Sequence, residues 1–191
     1  DGYKENNEYA LQALSAACDA GADCLVLCDT NGGTFPTEVE KITQVVCSKF
    51  PGKRVGIHCH NDNGMGVANS ILAVEAGACH VQGTLLGFGE RCGNANLSVI
   101  IPNLQIKQGH DCIPAESMVR LTEICNKLAE ITNIKIAKSE PYVGRSAFAH
   151  KAGMHADGVN KSSRSFEHIA PDLVGNERRF LMSEMAGRTA I

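Results

Sequence analysis

A chain of 191 residues with 43% hydrophobic content is long enough to bury a sizeable core and has the size of one ordinary domain. Its formal net charge of −3, with both signs interspersed, provides no basic field for nucleic acid. It contains no apolar run of membrane-spanning length, and Asp1, Lys4, Glu5 and Glu8 stand where a signal-peptide core would be.

The nine cysteines are an odd number with no CxxC pair, which argues against a disulfide framework or a zinc ribbon. The expectation is reduced, mostly buried thiols in a cytoplasmic protein acting on a small substrate.

The first predicted element is a helix over "NNEYALQALSAACDAGAD", with Tyr9, Leu11, Leu14 and Ala17 on one face and a stop at Gly21. Three apolar runs then read as buried strands: "CLVLCD" from Cys24, "RVGIHCH" from Arg54 and "CHVQGTLLG" from Cys79. Each is followed by a helical pattern, over residues 37–50, 65–76 and 95–106. The repeat of strand, polar loop and helix implies parallel βαβ units, hence an α/β class. After Gly109, "PAESMVRLTEICNKLAEIT" predicts one amphipathic helix opening on Pro114, with Met118, Leu121, Ile124, Cys125 and Leu128 on its apolar side. From Ile134 the sequence is polar, rich in Gly and Ser and weakly periodic, as in a linker or small subdomain.

Candidate chemistry gathers at the predicted strand ends, where parallel α/β folds bind ligands. His58 and His60, two apart on a strand, project to one face and can share a cation. A core histidine beside one bonded to Asp62 is the plainer alternative. "GTLLGFGERCGNANL" sets Glu90, Arg91, Asn94 and Asn96 in a glycine-punctuated loop. There Asn94 can offer an oxygen ligand, and an ion pair of Glu90 and Arg91 can brace the turn. In "LCDTNGG", either the Thr30 hydroxyl binds a substrate carboxylate, or Asp29 and Thr30 satisfy loop amides ahead of the next helix. In the tail, His155 is either suited to acid–base work, as a histidine's ordinary pKa near neutrality allows, or simply exposed at the surface. Surface exposure is the expectation for His150, His168, Lys151 and Lys161.

Taken in order, "LCDTNGG", "HCHNDNG", "GTLLGFGERCGN" and "HKAGMHADGVNK" resemble the acyltransferase family of isopropylmalate, homocitrate and citramalate synthases, metal-dependent barrels that also include hydroxymethylglutaryl-CoA lyase. "PYVGRSAFAHKAGMHADGV" and "FEHIAPDLVGNERRFLMSEMAGR" are most similar to the bacterial citramalate branch. The resemblance implies the C-terminal half of a (β/α)8 TIM barrel over residues 1–110, then a mostly helical linker subdomain over 111–191 that leads toward a further domain. It implies His58, His60 and Asn94 as metal ligands, Thr30 as the residue holding the carboxylate of a 2-oxo acid, and His155 as a catalytic histidine that reaches the active site of the partner in a homodimer. The cofactor implied is Mg or Mn, with Zn as the alternative, and acetyl-CoA is the co-substrate. No nucleic acid or membrane partner is implied.

Some family residues have no counterpart here. The Arg, metal-ligating Asp and Glu of the first strand and the catalytic Glu of the fourth are expected upstream of Asp1, and Arg178 stands near the place of a tyrosine that some synthases use. The implied reaction is a Claisen condensation of acetyl-CoA with pyruvate, followed by thioester hydrolysis, in branched-chain amino-acid biosynthesis. 2-Isopropylmalate or homocitrate synthase is the alternative, and a non-catalytic piece that only folds or pairs with a missing barrel half is the reading from a different class. The reverse lyase reaction is disfavoured, because "GERCGN" lacks that enzyme's cysteine-rich loop.

Overall fold

The computed structural model describes residues 1–151, 157–159 and 161–181. The chain divides into two compact units, Asp1–Ile100 and Ile101–Ile191.

The first unit opens with α1 (Gly2–Glu5) and α2 (Asn7–Asp19). Asn6 caps α2 by accepting from the Tyr9 amide at 3.0 Å. Gly21, at φ +95°, ends it, with amides 21 and 22 bonded back to the carbonyls of Cys18 and Ala17. Leu11, Leu14 and Ala17 pack on the core as their spacing predicts, but Tyr9 is 68% exposed and does not join them.

Strands β1 (Cys24–Asp29), β2 (Arg54–Cys59) and β3 (His80–Gln82) form a parallel sheet in the order β1-β2-β3. Helices α3 (Pro36–Lys49) and α4 (Gly66–Glu75) supply the crossovers. Pro36 starts α3 where a missing amide costs nothing, and the Phe35 amide donates to Glu38 Oε2 at 3.2 Å. Leu25 and Val55 point to the helical side and join Val46, Leu11, Leu14 and Phe50 in a core cluster. Alternation along the strands therefore turns Cys28, Gly56 and His58 to the opposite face.

The third strand is shorter than its apolar run suggests. After Gln82 the chain leaves the ladder, and Leu85–Gly87 form a 3-10 turn with Leu86 at φ +59°. The following helix also differs: α5 (Leu97–Pro102) gives way to a π-helical turn, Asn103–Lys107. Pro102 has no amide to donate and its ring crowds the carbonyl four residues back, which accounts for the wider turn.

In the second unit the predicted single helix is two, α6 (Ala115–Met118) and α7 (Leu121–Ile131). Gly175, at φ +67°, lies so close to the Val119 carbonyl that a Cβ there would collide with its oxygen. Met118, Leu121 and Cys125 are buried as expected. The polar tail also builds a core. Tyr142, Val143, Phe148, Val159 and Val174 are buried, and β4 (Ala149–His150) pairs in parallel with β5 (Arg179–Phe180).

All nine cysteines, each within the described residues, are free thiols. Contrary to expectation they are not mostly buried: Cys59 and Cys125 are, whereas Cys28, Cys79, Cys92 and Cys112 are exposed. Burial, followed by the nearby Asp29 charge, pushes the Cys59 thiol up to about 12, so it packs as an inert apolar group. Among the described residues, no helix is long and apolar enough to cross a membrane.

Candidate metal centre

The carboxyl end of β2 carries His58 and, one residue beyond the strand, His60. Their rings meet edge to face with centroids 5.4 Å apart, as same-face neighbours should. The loop after β3 folds back on this end. His60 forms an antiparallel bridge with Asn94, the Asn61 amide donates to the Gly93 carbonyl at 2.9 Å, and the Ala95 amide donates to the Cys59 carbonyl at 2.8 Å. Two residues 34 positions apart in sequence, His60 and Asn94, are thereby fixed side by side.

Glycines permit this fold-back. A Cβ on Gly89 would strike the Asn94 amide nitrogen, and one on Gly93, which sits at φ +88°, would strike the Gly87 carbonyl oxygen. Gly93→Ala is therefore expected to lower stability by roughly 3 kcal/mol, through a backbone clash added to a left-handed φ. A thermal melt checks this: a midpoint equal to the parent's would mean the loop has room to shift.

The amide of Asn94 is oriented by its surroundings. Nδ2 donates to the Phe88 carbonyl at 2.7 Å, which leaves Oδ1 as the free end. Asn94 Oδ1 and His60 Nδ1 are both buried, and neither has a hydrogen-bond partner among the described residues. Buried polar atoms normally find partners, so two orphaned atoms on bridged neighbours mark a place built for something else. An amide oxygen and an imidazole nitrogen are both donors to a divalent cation. The residues thus fit a cation. Among the described residues, no group of three or more His, Cys, Asp or Glu side chains is placed to hold one. Histidine and amide ligation is what this chain offers.

The polar residues behind the histidines serve the loop. Asn61 Oδ1 accepts from the Gly66 amide at 3.0 Å and Asn63 Oδ1 from the Met65 amide at 3.0 Å, capping the start of α4. Asp62 does not bond either histidine. It takes a two-pronged contact from Arg91, with Nε to Oδ1 at 2.8 Å and Nη2 to Oδ2 at 3.0 Å. The Arg91 guanidinium is the first cause holding the Asp62 carboxyl below its usual range. Gly32 passes so close that a Cβ on it would meet Asp62.

Arg91 also donates to the Thr30 carbonyl at 2.6 Å, which ties all three strand-end loops together. The clamp was missed because the sequence paired Arg91 with its neighbour Glu90, which lies 3.8 Å away and is 86% exposed. Opposite charges on successive strand-end loops were the available signal. Thr30 itself is exposed at the end of β1. Asp29 is buried and braces its loop, accepting from Thr34 Oγ1 at 2.6 Å and from the Thr34 amide. That fulfils the loop-amide alternative for Asp29.

In the second unit, His155 lies outside the described residues. His150 corrects an expectation: it is 8% exposed, and its Nε2 lies 3.0 Å from Glu167 Oε1. Glu167, also buried, is held by Arg178 through bonds of 2.7 and 2.6 Å. Arg178 is thus committed to a structural pair. His168, exposed as expected, stacks on Phe148 with rings 15° apart, and burial lowers its pKa. Lys151 and Lys161 are exposed.

Residues 1–131 match the model of the HMGL-like family, and residues 142–191 match that of the homocitrate synthase post-HMGL domain-like family. The chain belongs to the HMGL-like family. An (R)-citramalate synthase of Aquifex aeolicus is 57% identical to this HMGL-like chain over 189 residues, which are 99% of the chain and 36% of that protein. A probable 2-isopropylmalate synthase of Methanopyrus kandleri is 38% identical over 194 residues, covering 100% of the chain and 38% of that protein. The chain thus spans little more than a third of the length of these curated relatives. An HMG-CoA lyase from Bacillus subtilis shares the fold, with a TM-score of 0.59 at 23% identity over 68% of this chain and 44% of that one. The α/β architecture is therefore part of a TIM barrel, as the motifs implied.

Proposed function

We propose that this chain is the metal-binding part of an acyltransferase that condenses acetyl-CoA with a 2-oxo acid, pyruvate first, to give citramalate. The pair of orphaned buried atoms, His60 Nδ1 and Asn94 Oδ1, carries the reading. His58, His60 and Asn94 would hold Mg or Mn, with a carboxylate from outside the chain completing the set. A cation bound there supplies Lewis-acid polarisation of the 2-oxo acid carbonyl.

The chain's own residues do the rest. Thr30, exposed at the same strand-end rim, offers its hydroxyl to the substrate carboxylate. The Arg91–Asp62 clamp fixes the loop that carries Asn94. His155 supplies an imidazole for proton transfer around the acetyl methyl group, in the active site of the partner in a homodimer. Loss of that proton gives the enolate that attacks the carbonyl carbon, and water then cleaves the thioester. Residues 111–191 act as the linker subdomain that presents His155. The setting is the cytoplasm, and the product feeds branched-chain amino-acid synthesis.

Identity favours pyruvate, since the citramalate synthase is 57% identical and the isopropylmalate synthase 38%. The test is thiol release from acetyl-CoA by the complete gene product. Release with pyruvate is expected. Release with 2-oxoisovalerate alone would move the enzyme to isopropylmalate synthesis, and no release with any 2-oxo acid would refute the proposal.

A further inference from the structure

The sheet face turned away from the helices carries a polar ladder that the metal reading leaves unexplained. In register, Cys28, His58 and Gln82 form one row across the three strands. Val26, Gly56 and His80 form the row before it. Registered partners on parallel strands share a face and stand about 5 Å apart, so Gln82 is the immediate neighbour of His58.

Gly56 gives this arrangement its shape. A Cβ there would lie 3.0 Å from His80 Cδ2 and 3.2 Å from His80 Cβ, so the His80 side chain occupies the space a larger residue would fill. His80 Nε2 then meets Gln82 Nε2 at 3.3 Å. With the amide N–H donating to that nitrogen, Gln82 Oε1 is the acceptor left for the next ring along the row. A metal-ligating imidazole uses one nitrogen on the metal and donates its other N–H to an oxygen, which fixes its tautomer and orientation.

We infer that Gln82 is a positioning residue for His58, its side-chain oxygen accepting the N–H of that imidazole while His80 holds the amide in place. The inference rests on the metal-site reading above. Gln82 needs no contact with substrate in this role, and it acts through His58.

The test measures Mn2+ binding to the metal-depleted complete gene product by equilibrium dialysis. Gln82→Leu is expected to weaken binding by about 10- to 100-fold. Gln82→Glu, which keeps an oxygen acceptor, is expected to restore affinity to within a few fold of the parent. It also keeps the idea testable if the leucine variant folds poorly, since a glutamate variant as weak as a ligand deletion would count against it. In Co2+-loaded protein, the visible absorption should shift for Gln82→Leu and return for Gln82→Glu, a signature that general loosening would not produce. If Gln82→Leu binds Mn2+ like the parent while His58→Ala loses it, the positioning role fails and the metal site stands. If His58→Ala binds Mn2+ like the parent, the metal reading falls and takes this inference with it.

Discussion

His60→Ala in the complete gene product is expected to abolish tight divalent-cation binding and to cut thiol release from acetyl-CoA by about a thousandfold. A Lewis acid at a developing alkoxide is worth several kcal/mol, and about 4 kcal/mol corresponds to that factor. The fold should survive. The hydrogen bonds that place His60 are made by its backbone, from its amide N–H to the Asp29 carbonyl at 3.1 Å and in the bridge to Asn94, and neither uses the ring, whose edge-to-face contact with His58 is the packing lost. The ring nitrogen removed is one that has no partner among the described residues, so no internal hydrogen bond at that atom is lost. Thermal stability near the parent's, together with lost Mn2+ binding by calorimetry, is the expected combination. Asn94→Leu should behave differently, because it also removes the bond from Nδ2 to the Phe88 carbonyl and leaves that carbonyl only the Thr84 hydroxyl. A His60→Ala protein that binds Mn2+ normally would mean that the two buried orphan atoms serve some other purpose.

The first half of the chain was legible because strand and helix there obey simple periods. "CLVLCD" is β1 residue for residue, and the helix pattern over 37–50 is α3 shifted by one. The HxH pair was legible for the same reason, since period two puts both rings on one face. Less legible was whatever depends on a partner distant in sequence. The clamp of Arg91 on Asp62 joins loops 29 residues apart, and the Val119 carbonyl between α6 and α7 is approached closely by Gly175, more than fifty residues on. Burial in the tail was not legible because its core is assembled from scattered residues such as Tyr142, Phe148 and Val174, with no period to announce it. His150 looked like a surface group until Glu167 and Arg178 appeared around it. The cysteines were judged by residue type, which predicts burial on average but knows nothing of a strand end or loop tip.

Arg178→Met is expected to loosen the second unit by about 3 kcal/mol at neutral pH, read as faster hydrogen exchange at the amides of Arg179 and Leu181, which bond to the carbonyls of Phe148 and His150 across β4 and β5. Breaking a buried ion pair costs about 3–5 kcal/mol because one charge is left without compensation. Here the Glu167 side chain is 2% exposed and the Arg178 side chain 36%, so the cost falls on the carboxylate and lies toward the low end. The Arg178 hydrogen bonds are the first cause holding the Glu167 carboxyl below its ordinary range, against burial, which raises it, and with help from His150. A carboxyl whose folded pKa is depressed contributes stability that is fully present above the unfolded value, near 4.3, and is lost as pH falls through the folded value. Protection of the two amides in the parent should therefore decline below about pH 4. In Arg178→Met the opposition to burial is mostly gone, so the carboxyl rises and acidification should relieve the variant before it harms it. Glu167→Gln placed on top of Arg178→Met removes the stranded charge and should recover part of the lost protection at neutral pH. Equal protection in parent and Arg178→Met at pH 7 would mean that water already screens the pair, and that His150 alone keeps the strand pair closed.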